Sequence, residues 1–463
     1  MNLSVRFYYL IAFVSLSILN ACQERASQNT YDLAIKNITI INEKGISDGD
    51  LYTVYIKDGL IAEIDPLDIS KSLFATKEID GSEKYILPGF WDNHTHFRGG
   101  SELVTQNELF LKQFIKYGIT TVRDAGGDLT PQVQQWNKEI QNGTRIGPTI
   151  YTSGPKLDGK NARWAGSIGV SNSDEISKAL DSLQSINVDY VKLYDSTLSG
   201  EQYLEIIKQA ESRGMITSGH MPFTVTLDET IDAGIDNIEH LYYILKGCSS
   251  QEKEITAQIK EGKLGFWGSM AQLIETYDED TAQRTFKKLK DNNVYVTPTL
   301  FIGDILSYMD EVDHSNDSYL ALLEEDFIAT YEGRVNSALN ASDEAKQNRK
   351  NLQEFFLQLV KKLDDAGVTL LSGSDSGAYN AYTYPGPSLH GELREMTRAG
   401  ISTSTALSSM YDGAHLLNKS LYQFSKGGIA DFVILNSNPL RDIKATEDIW
   451  LVIKNGAIIH SND

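Results

Sequence analysis

Between Ile86 and Asn418 the chain alternates short β-type runs with amphipathic helical stretches, and this alternation constrains the fold more than any other feature. The β-type runs are Gly89–Phe97, Thr120–Asp124, Thr149–Ser153, Tyr190–Tyr194, Ile216–His220, Asn237–Leu241, Val294–Thr299 and Thr369–Ser374. Helical patterns such as Gln202-Tyr-Leu-Glu-Ile-Ile-Lys-Gln-Ala-Glu and Phe286-Lys-Lys-Leu-Lys separate them. A helix between two strands returns the chain to the same end of the sheet, so the strands lie parallel. Eight such units predict an α/β fold, a (β/α)8 TIM-like barrel whose chemistry gathers at the C-terminal ends of its strands. The connection from Phe301 to Ala366 is long and acidic. Its pattern predicts helices, read either as a solvated insertion or, more sharply, as a lid over the site.

Both chain ends have a different texture. Asp32-Leu-Ala-Ile-Lys-Asn-Ile-Thr-Ile-Ile, Thr53-Val-Tyr-Ile-Lys and Leu60-Ile-Ala-Glu-Ile are β-type, with turn signals at Asp58-Gly59 and Asp80-Gly81. Ala430-Asp-Phe-Val-Ile-Leu and Trp450-Leu-Val-Ile-Lys look alike. Chain termini often lie close together, so residues 31–85 and 419–463 are expected to pair into one small β-sandwich beside a barrel spanning 86–418. At 463 residues there is enough chain for both.

The first 21 residues stand apart. Arg6 precedes an almost uncharged apolar run, Phe7 to Leu19, too short to span a bilayer and sized like a signal peptide. It ends in Leu19-Asn20-Ala21-Cys22, which resembles the lipobox of bacterial lipoproteins. The resemblance implies cleavage before Cys22, lipidation of its thiol, a tether over residues 22–30, and export to a lipid-anchored place on the membrane of a bacterial cell envelope. The bland alternative is a plain secretory leader. Cys248 then stands alone in the mature chain, which excludes a disulfide scaffold and reads as a small buried residue. With 63 acidic against 42 basic residues, net charge −21, the chain is not expected to coat nucleic acid. The sequence leaves room for a homo-oligomer.

The residues that carry chemistry follow the strand ends. Asp92-Asn-His94-Thr-His96 places two imidazoles on one side of the first barrel strand, half of a metal site. His220 ends the fifth run, His240 the sixth, and Asp375 closes the eighth within Ser372-Gly-Ser-Asp-Ser-Gly. Of the remaining histidines, His314, His415 and His460 read as surface or packing residues, and His390 as structural near Asp375. Lys192, in Asp189-Tyr-Val-Lys-Leu-Tyr, is aimed inward with Tyr190 and Tyr194. A lysine there is costly unless paired, to Asp189 or Asp195 for instance, or converted by CO2 to an anionic carbamate. Tyr194 is placed either to hydrogen-bond an oxyanion or simply to pack. Among the arginines, Arg98 is the better candidate to hold a substrate carboxylate, with Arg163 available and Arg123 expected in an ion pair with Asp124 or Asp92.

Taken together, His94-x-His96, Lys192, His220, His240 and Asp375 resemble the amidohydrolase superfamily. Leu87-Pro-Gly-Phe-Trp-Asp-Asn-His, Thr121-Val-Arg-Asp and Ala233-Gly-Ile-Asp-Asn-Ile-Glu-His are similar as well. The likeness is to its branch of imidazolonepropionase-like proteins and Xaa-Pro dipeptidases (prolidase type), and Lys192 favours the dipeptidase side. Met410-Tyr-Asp-Gly and the short Lys426-Gly-Gly-Ile-Ala-Asp depart from that branch. The resemblance implies a metal-dependent hydrolase of amide C–N bonds, acting on dipeptides or N-acyl amino acids. It implies two divalent ions, fitting Zn2+, one on His94, His96 and Asp375 and one on His220 and His240, bridged by carboxylated Lys192 and a hydroxide. Asp375 is then the general base and acid. The alternative is a mononuclear deaminase or cyclic-amide hydrolase with a structural Lys192. A lipid-anchored binding protein without turnover is a third reading, which no residue favours.

Overall fold

The computed structural model describes residues 30–67, 74–419 and 422–461. The leader, Cys22 and residues 23–29 of the expected tether lie outside them. Among the described residues seventeen strands occur in chain order. Thr30–Ile40 (β1), Leu51–Lys57 (β2), Leu60–Pro66 (β3), Phe74–Asp80 (β4) and Tyr85–Pro88 (β5) come first. The central nine are Phe90–Thr95 (β6), Ile119–Asp124 (β7), Thr149–Thr152 (β8), Leu157–Gly159 (β9), Ile168–Val170 (β10), Val191–Leu193 (β11), Thr217–Gly219 (β12), Asn237–Glu239 (β13) and Tyr295–Thr297 (β14). Phe432–Leu435 (β15), Ile449–Lys454 (β16) and Ala457–Ser461 (β17) end the chain.

The two chain ends share one eight-stranded sheet, ordered β17-β16-β15-β5-β1-β2-β3 with β4 added to β1. The seam is β5, which runs parallel to β1 and antiparallel to β15, so the terminal sheet extends to Pro88. Period-two alternation gives this sheet two apolar faces. Ile86, Phe432, Ile434, Leu451 and Ile453 join Ile35, Val54 and Ile56 in a small core of their own. Their neighbours Leu87, Val433, Leu435 and Val452 pack instead into the main core. One strand set therefore closes the small unit and fastens it to the large one.

The large unit is α/β with parallel sheets: β10-β9-β11-β12-β13-β14 and β6-β7-β8. Seven of the eight expected barrel strands are present. The eighth run is a correction: Thr369–Ser374 forms no regular strand and holds one parallel bridge, Val296 with Leu370, while Thr95 bridges Ser376 just beyond it. The reason lies in Ser372-Gly373-Ser374. Ser372 N donates to Ser409 O at 3.1 Å, and Ser374 N to the Asp92 carboxylate at 2.9 Å, so these groups leave the ladder. A Cβ on Gly373 would lie 2.6 Å from the His94 Cβ, so only glycine admits this close approach. On the far side Asp189 N donates to Thr152 O at 2.9 Å, linking the β8 side to the approach to β11.

The long acidic connection is helical: Leu300–Ser307, Glu325–Ala329, Glu332–Leu339 and Asp343–Ala366. The last is capped by Ser342, whose side chain accepts from Ala345 N, and ends on left-handed Gly367. Among the described residues no helix is long and apolar enough to cross a membrane. Cys248 is buried and free.

Candidate active site

Five of the six sequence-derived ligand candidates line one cavity of about 380 Å3: His96, Lys192, His220, His240 and Asp375. The sixth, His94 on β6, stands with its Nε2 3.4 Å from Asp375 Oδ1. Strand alternation puts His94 and His96 on one side, and His220 and His240 follow directly on β12 and β13. His240 (φ 68°) and Asp375 (φ 54°) both adopt the left-handed conformation, as does Thr299 (φ 50°) beside His240. Non-glycine residues are rarely held this way, and such strain gathers at functional sites.

The hydrogen bonds fix where the protons sit. His96 Nδ1 faces the Gly126 carbonyl at 2.9 Å, so it must donate. His220 Nδ1 faces Asp195 Oδ1 at 3.0 Å, and a carboxylate accepts. His240 Nδ1 faces Thr299 Oγ1 at 2.7 Å, and that hydroxyl already gives its proton to Pro298 O at 2.8 Å, so Nδ1 donates here too. All three Nε2 atoms are therefore bare acceptors. Yet His220 Nε2 and His240 Nε2 are 3.0 Å apart, and His96 Nε2 is 3.1 Å from Asp375 Oδ1. Among the described residues neither nitrogen of His94, 1% exposed, has a hydrogen-bond partner. Acceptors held face to face at this range repel unless a cation lies between them. The donor set, imidazole nitrogens and carboxylate oxygens, is the one that holds a divalent ion, and the outward Nδ1 bonds are the support such ligands need.

Electrostatics agree with that state. Burial lowers His94 to about 4 and holds His96, His220 and His240 well below the ordinary histidine range. Lys192 adds to burial at His220, and His220 adds to it at His240. Burial opposes ionisation of Asp375, and positive charge on the side of His94 and His96, which a cation there would supply, holds its carboxyl well below the usual range. Neutral imidazoles and an ionised carboxylate are the forms that ligate metal. Asn380 Nδ2 donates to Asp375 Oδ1 at 2.9 Å and orients it. Close groups of ligand atoms comprise His94, His240 and Asp375 on one side, and His220, Glu239 and His240 on the other.

Two sequence-based pairings are corrected. Lys192, fully buried, is ion-paired with Glu239 on β13 and with neither Asp189 nor Asp195. Asp189 serves Thr152 N and Lys419, while Asp195 serves His220 and Tyr243. Burial holds the Lys192 amine well below its ordinary value. Glu239 also accepts from Ser218 Oγ at 2.8 Å, and its Oε1 is 3.7 Å from His94 Nδ1. A signal for it was available: inward Asn237 and strand alternation put Glu239 on the same side. Arg123 is in no ion pair with Asp124 or Asp92; it stacks on Tyr190 at 4.7 Å and donates to Ser218 Oγ at 3.3 Å. Among the remaining histidines, His390 is structural, bonded to Thr446 Oγ1 and to Tyr117 O, and His314 stacks on Tyr382.

Tyr194 lines the cavity with its ring 4.4 Å from that of His220. Arg98 is buried, its Nε donating to Ala378 O at 2.8 Å and its guanidinium 4.4 Å from the Trp164 ring centre. Beyond them opens an outer chamber of about 980 Å3, walled in part by Arg334, Arg349 and Phe356 of the long helical connection. That connection is thus a wall of the site.

Residues 85–459 match the family described as "Amidohydrolase family". An adenine deaminase of Staphylothermus marinus is 26% identical over 237 residues, which cover 49% of this chain and 38% of the deaminase. The chain thus spans well under half of that relative. Among solved structures, a bottromycin amidohydrolase superposes with a TM-score of 0.72 at 19% identity, covering 92% of this chain and 86% of the other. A Xaa-Pro dipeptidase with methionine bound in its active site gives 0.67 at 18% identity, covering 93% and 100%. At such identity these two speak to the fold.

Proposed function

The chain belongs to the amidohydrolase family, and from that premise we propose a metal-dependent hydrolase that cleaves the C–N bond of amides, in dipeptides or N-acyl amino acids. The observation that carries the proposal is the pair of bare-acceptor contacts, His220 Nε2 to His240 Nε2 at 3.0 Å and His96 Nε2 to Asp375 Oδ1 at 3.1 Å. The bridges of Leu370 and Ser376, with β8 and β9 pairing β7 and β11 on opposite sides, support reading the parallel strands as one eight-membered barrel. Residues 86–418, apart from the β5 stretch to Pro88 that joins the terminal sheet, are its proposed extent, and residues 31–85 and 419–463 form the rest of the proposed β-sandwich.

His94, His96 and Asp375 would hold one ion, His220 and His240 the other, and the ligand types fit Zn2+. Bound there, the ions supply Lewis acidity that polarises the scissile carbonyl and acidifies water. The chain's own groups do the rest. Asp375 takes the proton of the attacking water and returns it to the departing amine nitrogen, so the C–N bond breaks without expelling an amide anion. Asn380 holds the carboxylate for both transfers. Tyr194, at the cavity wall, donates to the oxygen that gains charge as the carbonyl becomes tetrahedral. Arg98 offers a planar donor pair to a substrate carboxylate. A neutral Lys192 amine would add CO2 with release of one proton, and its carbamate oxygens would then supply anionic metal ligands.

One observation favours a second reading. The Lys192–Glu239 ion pair neutralises the lysine without a carbamate, as a mononuclear deaminase or cyclic-amide hydrolase would need. Chelation and reconstitution against a library of dipeptides and N-acyl amino acids test the main proposal. Turnover lost with the metal and restored by divalent ions is expected; turnover that survives metal removal overturns it. For location, Cys22 is the proposed lipid anchor to the bacterial cell envelope.

A further inference from the structure

The protein is acidic overall, yet its outer chamber is cationic. Arg98, Lys156, Arg163, Arg334 and Arg349 line it, against Asp128 as the one carboxylate of the wall. Three of these cations surround a single indole. Arg98 Cζ lies 4.4 Å, Lys156 Nζ 5.1 Å and Arg163 Cζ 5.7 Å from the centre of the Trp164 ring.

Lys156 is the most telling member. It is 2% exposed, and among the described residues its ammonium has neither a hydrogen bond nor an ion pair. Its other near neighbour is again a ring, Tyr194 at 5.5 Å. Asp124, Asp375 and Asp128 attract it only through space, and Asp375 is turned to His94 and His96. Asp124 is occupied by Thr152 Oγ1 and Phe97 N, and Asp128 by Gly99 N. Burial and then Arg98 push the amine down to about 7, the direction expected of a cation kept among like charges. Ring faces offset part of that cost. They do not remove the repulsion of three cations, which calls for an anion.

Resting on the hydrolase reading, we infer that Arg98, Lys156 and Arg163, gathered on Trp164 where the two cavities meet, form a subsite for a carboxylate of the substrate. The amide cleaved is then one that carries a negative charge beside an apolar or aromatic group. Arg98, Arg163 and Trp164 line both cavities, so the subsite adjoins the reacting centre. Arg334, from the helical connection, lines both as well and has no ion pair among the described residues, so it adds a fourth positive charge. Tyr194, Trp267 and Phe356 supply the apolar wall.

The test measures binding without turnover. Isothermal titration calorimetry on the metal-loaded protein compares 5-phenylpentanoate with 5-phenylpentan-1-ol, which has the same ring and chain without the charge. The carboxylate is expected to bind at least about tenfold more tightly. Lys156→Met should remove about tenfold of its affinity, while Lys156→Arg should stay within about threefold of the parent. Arg163→Gln, at an exposed position, serves if Lys156→Met does not fold, and should cost about threefold. Equal binding of acid and alcohol overturns the subsite. So does acid binding that none of these variants weakens, which would put the carboxylate on the metal centre. Neither outcome depends on amide turnover, so the subsite can fail while the hydrolase reading stands, and the reverse.

Discussion

The inner and outer cavities share a wall that carries Arg98, Arg163 and Arg334, and they differ in what each adds to it. The inner one presents bare imidazole nitrogens and the Asp375 carboxylate, groups arranged to receive cations. The outer one presents five cationic side chains and one carboxylate, arranged to receive an anion. The difference teaches how a chain of net charge −21 can still hold a chamber suited to an anion. Local charge sets recognition, and the global sum is screened within about 10 Å at ordinary salt. The two regions are also built differently. In the inner cavity His96, His220 and His240 have their Nδ1 atoms anchored, whereas much of the outer wall comes from the helical connection.

The comparison can be broken at its inner half first. Asp375→Asn removes the proton carrier and one cation-seeking oxygen, and kcat/KM should fall by about 10^4-fold, the upper range for acid–base work. Steady-state kinetics with equal folded protein would check this; a fall under tenfold would remove Asp375 from the chemistry.

The next effect lies at the joint of the two regions. Glu392 Oε2 accepts from Phe301 N at 2.8 Å, fastening the first helix of the connection to the body. Burial pushes this carboxyl from 4.5 up to about 8. Between those values the folded chain keeps a proton that the unfolded chain has released, so stability falls as pH rises through that window and levels off above it. At about 1.4 kcal/mol per unit the slope amounts to a few kcal/mol. Glu392→Gln should remove it, leaving the variant close to the parent at pH 5 and more stable at pH 8. Chemical denaturation at the two pH values decides, and parallel curves would contradict the assignment.

Smaller effects sharpen the outer half. Arg334→Gln should raise KM for a carboxylate-bearing amide by about tenfold and for its carboxamide counterpart much less, since only the former uses the charge. Equal losses for both would make Arg334 a packing residue. Smallest for the chemistry is Cys22→Ser, which should move the protein from the membrane fraction to the soluble one and leave kcat unchanged. Retention in the membrane would end the anchor proposal.

How much was legible in the sequence follows the same division. His94-x-His96, Lys192, His220, His240 and Asp375 were visible because each sits within a β-run or just at its end, where period-two alternation fixes which way it faces. Lys192's partner was not, because Glu239 lies two strands away and only strand order brings it there. The eighth run looked like a strand, yet Ser372 and Ser374 give their backbone bonds to Ser409 and Asp92. Lys156, Trp164 and Arg334 sit in loops or in the helical connection, where no periodicity orients a side chain.

The most direct measurement is metal stoichiometry on the chain beginning after Cys22, wild type beside Lys192→Ala, each prepared with and without bicarbonate. Close to two ions per chain in the wild type, dropping in the variant and responding to bicarbonate only when Lys192 is present, is the predicted result. One ion in both proteins would make the Lys192–Glu239 pair structural and favour the mononuclear reading; none in either would contradict the account at its centre.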